Sequence, residues 1–126
     1  MKEKESKEII LIVDDNELNL EILKLILEDE FNNFQIIITN NGYEALKKVE
    51  AKKPAIILLN FMMPGIDGLE VCHILKKKTA TKDIPIIFTS GCPKDELEFL
   101  EICGADFVQL PFITKELITC IKKNLQ

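Results

Sequence analysis

Histidine is nearly absent from this chain. His73 is the only one, and it has no partner at metal-ligand spacing. The four cysteines, Cys72, Cys92, Cys103 and Cys120, show no C-x-x-C pairing. A zinc centre or disulfide framework therefore gives way to buried, reduced thiols. His73, next to Cys72 on an expected helix, reads as a surface or boundary residue rather than a catalytic base. No apolar stretch approaches the ~20 residues that span a bilayer. The first eight residues, Met1 to Glu8, are a charged tail without the apolar centre of a secretory signal. Basic excess is missing too, since the net charge is −5. That balance argues against direct nucleic-acid binding and against membrane attachment. The expected location is cytoplasmic.

What is present is an alternation. The 126 residues are 47% hydrophobic and 29% charged, enough for one globular domain, here residues 9–126 after the tail. Short apolar runs at 9–14, 34–38, 55–60, 84–90 and 106–110 read as strands covered on both faces, because they are continuous rather than alternating. Amphipathic stretches at about 17–30, 42–51, 68–77, 94–103 and 114–125 read as helices. Asp67 is placed to cap the third of these and Thr114 the last. Five such β-α units predict an α/β fold, a doubly wound five-stranded parallel sheet with helices on both faces. Ligands of such sheets sit beyond the carboxyl ends of the strands. Those ends carry Asp14-Asp15, Asn60, Thr89-Ser90 and Leu110.

Several motifs in fixed order carry a family resemblance over nearly the whole chain. They are Val13-Asp14-Asp15-Asn16 with Asn19 shortly after, the loop Met62-Met63-Pro64-Gly65-Ile66-Asp67-Gly68, the strand Ile84 to Gly91, and Gly104-Ala105-Asp106 ahead of Leu110-Pro111-Phe112. The sequence resembles the receiver domain of two-component response regulators, in the flavodoxin-like arrangement, which implies strand order 2-1-3-4-5. The resemblance implies roles by position. Asp14 and Asp15 match the acidic pair that holds Mg²⁺, with Met62 counted in the same pocket. Ser90 matches the switch hydroxyl and Phe107 the switch aromatic. Asn60 stands where the phosphoacceptor aspartate belongs, and Leu110 stands where a lysine belongs. A cis Leu110-Pro111 bond is also implied.

Both departures remove chemistry. The Asn60 amide is a poor nucleophile and brings no charge to a hard cation. Aliphatic Leu110 cannot pair with a phosphoryl group. One negative and one positive charge are lost together, so the formal charge of the pocket is unchanged. The expected function is a pseudo-receiver: a non-enzymatic signalling module that acts through protein contacts, independent of phosphorylation, with no catalytic residue and at most weak Mg²⁺ binding. The alternative is a phosphorelay receiver that accepts phosphate from a histidine kinase, with its acceptor replaced by Asn60. A flavin or nucleotide site on the same fold lacks the glycine-rich loop it would need after the first strand.

Partners are expected to be proteins: a sensor kinase, an output domain or a second copy. The segment 94–103 spreads Leu97, Phe99, Leu100, Ile102 and Cys103 over an arc of about 220°, wider than one docked face needs. Phe99 and Ile102 are its candidates for a partner surface, with Glu98 and Glu101 as an acidic rim. A similarly wide arc from Leu18 to Leu27 is expected to be covered by neighbouring helices. The two remaining expectations concern Asp14 and Asp15, whose mutual repulsion should raise one pKa, and Ser90, which also reads simply as a strand-end hydroxyl.

Overall fold

The computed structural model describes residues 7–91 and 106–125. Its strands are β1 (Glu8–Val13), β2 (Phe34–Thr39), β3 (Ile56–Asn60), β4 (Ile86–Ser90) and β5 (Asp106–Gln109). The described helices are α1 (Glu17–Glu30), α2 (Gly42–Lys52), α3 (Gly68–Lys76) and α4 (Thr114–Asn124). The sheet runs β2-β1-β3-β4-β5, and every neighbouring pair is parallel. This is the order expected from the sequence. β1 begins at Glu8, a residue assigned to the charged tail. The segment 94–103, with Phe99 and Ile102, lies outside the described residues, as do Cys92 and Cys103.

Continuous apolar strands are needed because alternate residues serve opposite faces. Along β1, Leu11 and Val13 join Ala45 and Val49 of α2 and Val71, Cys72 and Leu75 of α3 in one core. Ile10 and Ile12 join Leu20, Leu23 and Leu27 of α1 and Leu117 and Ile121 of α4 in the other. β3 divides in the same way, with Ile57 and Leu59 on the first face and Ile56 and Leu58 on the second. The two cores clamp the central strands, so their C-terminal ends are held at one rim.

The helix starts are set by short polar side chains. Asn16 accepts from Asn19 N, Asn41 from Glu44 N, and Asp67 from Glu70 N, each satisfying a free N–H of the first turn. Asp67 is the expected cap. Thr114 is not: it is already the first helical residue, and Ile113 occupies the cap position without a side-chain hydrogen bond. Exposed Ile113 sits in the turn after cis Leu110-Pro111, so this helix starts without help from a side chain. His73 is exposed and Cys72 fully buried. Cys120 is half-buried, and neither Cys72 nor Cys120 forms a disulfide among the described residues.

The apolar arc of α1 is not covered. Leu18 is 64% exposed, Leu25 69% and Ile22 40%. The core takes Leu20, Leu23 and Leu27, with Ile26 packed against it; these are centred on the opposite side of the helix, so the outer stripe stays exposed among the described residues.

Gly68 fixes how closely α3 approaches the end of β3. A Cβ there would lie 2.5 Å from the Asn60 carbonyl oxygen and 2.9 Å from Phe61 Cα. Its N–H donates to Phe61 O at 3.0 Å. Backbone cannot move aside as a flexible side chain can, so Gly68→Ala should destabilise the domain by about 1–3 kcal/mol, the usual range for overpacking. Urea unfolding of the two proteins measures this; equal midpoints would show that α3 is free to shift.

Candidate functional site

Parallel pairing brings β1 and β3 side by side, with Val13 level with Leu59. The residues that follow, Asp14 and Asp15, therefore meet Asn60 at the end of β3. Asp14 is 1% exposed, and a buried carboxylate must be met by donors. It has three. Asn16 N donates to Oδ1 at 2.9 Å, Asn60 Nδ2 to the same oxygen at 3.1 Å, and Asn19 Nδ2 to Oδ2 at 3.3 Å. Asp15 is exposed and accepts from Asn60 Nδ2 at 3.1 Å. The Asn60 Oδ1 in turn accepts a long bond, 3.4 Å, from Met62 N. One carboxamide thus bridges both carboxylates.

Asn19 is the part that sequence reasoning missed. It was noted as a motif residue, not as a ligand of Asp14. The available signal was its place at the third position of α1, from which side chains reach back past the helix start.

Ser90, 3% exposed, ends β4, and its carbonyl accepts from Leu110 N at 2.7 Å. That bond sets Leu110, half-buried, beside Ser90 on the same rim of the sheet. The cis Leu110-Pro111 bond is present, as expected. Phe107, on β5, is half-buried and packs against the core that contains Phe88. Met62 contributes its N–H to the pocket while its side chain is 66% exposed.

Burial pushes the Asp14 carboxyl above the ordinary aspartate value. The hydrogen bonds from Asn16, Asn19 and Asn60 oppose this, and the charge of Asp15 adds only the last and smallest upward push. One raised pKa was expected, but from carboxylate repulsion; desolvation is the larger cause.

A hard cation such as Mg²⁺ takes oxygen ligands. Here the third group facing Asp14 and Asp15 is an N–H donor, so the residues as arranged do not form an all-oxygen set. Among the described residues, no group of three or more His, Cys, Asp or Glu side chains could hold a metal ion. Among the same residues, no helix is long and apolar enough to cross a membrane.

With this geometry in hand, the comparisons with known proteins are decisive about the family. Residues 10–122 match the model of the response regulator receiver domain. The chain belongs to that family. Its fold superposes on the signal receiver domain of a DNA-binding response regulator from Colwellia psychrerythraea 34H, with a TM-score of 0.86 and 29% identity over 93% of this chain and 97% of that one. The receiver domain of a signal transduction histidine kinase from Syntrophus aciditrophicus is 31% identical over 94% of this chain and 89% of its own, with a TM-score of 0.83. The Vibrio cholerae chemotaxis protein CheY4, 20% identical, has the same fold at a TM-score of 0.85, covering 95% of this chain and all of that one. This receiver domain is therefore a two-component signal-transduction module.

The raised Asp14 value fixes the sign of a pH effect. A carboxyl whose folded pKa exceeds its unfolded value, about 3.9, leaves the folded state holding more protons between the two. Asp14 then costs stability above its folded pKa, and the cost is relieved as pH falls through it, fully so below the unfolded value. In metal-free buffer, wild type should therefore gain stability relative to Asp14→Asn as pH is lowered from neutral to about 4. Parallel urea titrations read the difference; a shift in the variant's favour on acidification would contradict a raised pKa.

Proposed function

We propose that this receiver domain is a pseudo-receiver, a non-enzymatic module that signals by binding proteins and does not accept a phosphoryl group. The observation that carries this reading is the Asn60 amide, bonded through its nitrogen to both Asp14 and Asp15 at 3.1 Å. An amide at the acceptor position is a poor nucleophile, and its lone pair is delocalised into the carbonyl. Leu110, at the lysine position, supplies no positive charge for a phosphoryl oxygen. Ser90 and Phe107 keep the switch positions without the chemistry that would drive them. Mg²⁺ binding rests on Asp14 and Asp15 alone and is weak.

A surface for protein contact supports the same reading. Leu18, Ile22 and Leu25 lie within about 60° of one another on the outward side of α1. Met62 and Ile113, both mostly exposed, follow β3 and β5 at the same rim of the sheet from which α1 starts. The exposed stripe of α1, three apolar residues on one helix side, is the kind of surface that marks an interaction site more often than scattered residues do. The binding partner is a protein: a sensor kinase, an output domain or another copy of the chain. Phe99 and Ile102 remain a second candidate surface.

Incubation with acetyl phosphate and Mg²⁺ should leave the intact mass of the protein unchanged. A stoichiometric, hydroxylamine-sensitive phosphate adduct would overturn the pseudo-receiver reading.

Repair tests whether both losses matter. Asn60→Asp alone should bind Mg²⁺ more tightly yet stay a poor acceptor. Asn60→Asp with Leu110→Lys should be phosphorylated at least about tenfold faster than either single variant, since nucleophile and cation act as a unit. Leu110→Lys alone should cost little stability, because the half-buried site lets a lysine reach water. Rates at one donor concentration across the four proteins decide it. Robust phosphorylation of Asn60→Asp alone would show that Leu110 is no second loss and would favour an aspartate receiver carrying a replaced acceptor.

A further inference from the structure

The orientation of the Asn60 carboxamide is dictated by its neighbours. Its nitrogen faces Asp14 Oδ1 and Asp15 Oδ1, each at 3.1 Å, and its oxygen faces Met62 N at 3.4 Å. Turned over, Oδ1 would meet two carboxylate oxygens, and the NH₂ would face the Met62 N–H donor to donor. Both reversals are repulsive, so only the observed orientation satisfies all three neighbours. A divalent cation between Asp14 and Asp15 imposes the opposite demand. Residue 60 can join it only through oxygen, which requires the turned-over amide. The amide bonded to both carboxylates and a cation that takes residue 60 as a ligand exclude each other.

We infer that the Asn60 carboxamide replaces the divalent cation of the pocket: its two N–H groups cross-link Asp14 and Asp15 and hold the site in one metal-independent arrangement. The inference rests on the assignment of Asn60, Asp14 and Asp15 to the acidic pocket, and it goes further than loss of the acceptor. On this view Asn60 is a stabilising residue in its own right. The chain supplies three donors to buried Asp14 and ties exposed Asp15 to it through the same amide. Neither carboxylate then needs a cation for the fold to be complete.

Thermal unfolding of wild type, Asn60→Asp and Asn60→Ala, each in EDTA and in millimolar Mg²⁺, tests this directly. In EDTA, Asn60→Asp should unfold about 5 °C or more below wild type, because a third carboxylate replaces the bridging donor. Mg²⁺ should recover most of that loss. Wild type should respond to Mg²⁺ by at most a third as much. Asn60→Ala should unfold below wild type in both buffers, having neither the donor nor the third ligand. The inference is overturned if wild type gains as much from Mg²⁺ as Asn60→Asp does, or if either variant equals wild type in EDTA. Should Asn60→Asp fail to fold without metal, wild type alone still decides. Its Asn60 side-chain NH₂ signals should exchange slowly with water and hold their shifts through a Mg²⁺ titration; fast exchange or a large shift overturns the bridge. These readouts are separate from phosphoryl transfer. A phosphate adduct on wild type would sink the pseudo-receiver reading and leave the melting data standing, whereas a Mg²⁺-dependent wild type without an adduct would do the reverse.

Discussion

A carboxylate buried at the end of a central parallel strand constrains everything around it. Asp14 lies where β1 stops, 1% exposed, and water cannot reach it to offset the cost of its charge. The chain answers with three donors from two segments: Asn16 and Asn19 at the start of α1, and Asn60 at the end of β3. Asn16 works twice, donating its backbone N–H to Asp14 Oδ1 and accepting the Asn19 backbone N–H on its side-chain oxygen. The carboxylate, the helix start and the neighbouring strand are therefore one hydrogen-bonded unit. Displacing any part leaves a buried charge short of partners, which costs more than an ordinary lost hydrogen bond.

The sheet was legible in the sequence because burial on both faces forces unbroken apolar runs, and short runs separated by amphipathic stretches leave few topologies. Its edges were less legible. β1 takes in Glu8, whose exposed side chain carries no hydrophobic signal although its backbone pairs with Phe34. α4 starts at Thr114 rather than after it, with Ile113 at the cap position and no side-chain hydrogen bond there. A side chain with capping capacity does not decide that alone. The outer stripe of α1 was misjudged for a related reason. Periodicity reports that Leu18, Ile22 and Leu25 share a face; whether another element reaches that face depends on where the whole helix sits on the sheet.

The pocket was legible as a set of residues and illegible as an arrangement. Residue type at a strand end was enough to bring Asp14, Asp15, Asn60, Ser90 and Leu110 to one rim, since parallel register aligns those ends. The direction in which the Asn60 amide points was not available, because nitrogen and oxygen differ only through what surrounds them. The cause of the Asp14 shift also escaped. Counting charges favours repulsion by Asp15, but Asp15 is exposed, and its field is weakened by water, whereas the burial of Asp14 is felt in full.

If the pseudo-receiver reading proposed above holds, losing both the acceptor charge at Asn60 and the lysine charge at Leu110 limits how such a module is controlled. A binding event moves a conformational equilibrium only by the difference in its affinity for the two states. In a receiver with its full chemistry, that difference comes from a dianionic group arriving beside a cation and a hydroxyl. Here the formal charge of the pocket is settled by Asp14 and Asp15, their nearest shared donor is a neutral amide of the same chain, and Leu110 offers nothing for an anion to pair with. On that reading a phosphoryl group is not the ligand that favours one state strongly. Control would then come from differential contacts elsewhere on the molecule, and the exposed Leu18 and Leu25 of α1 are one place for them.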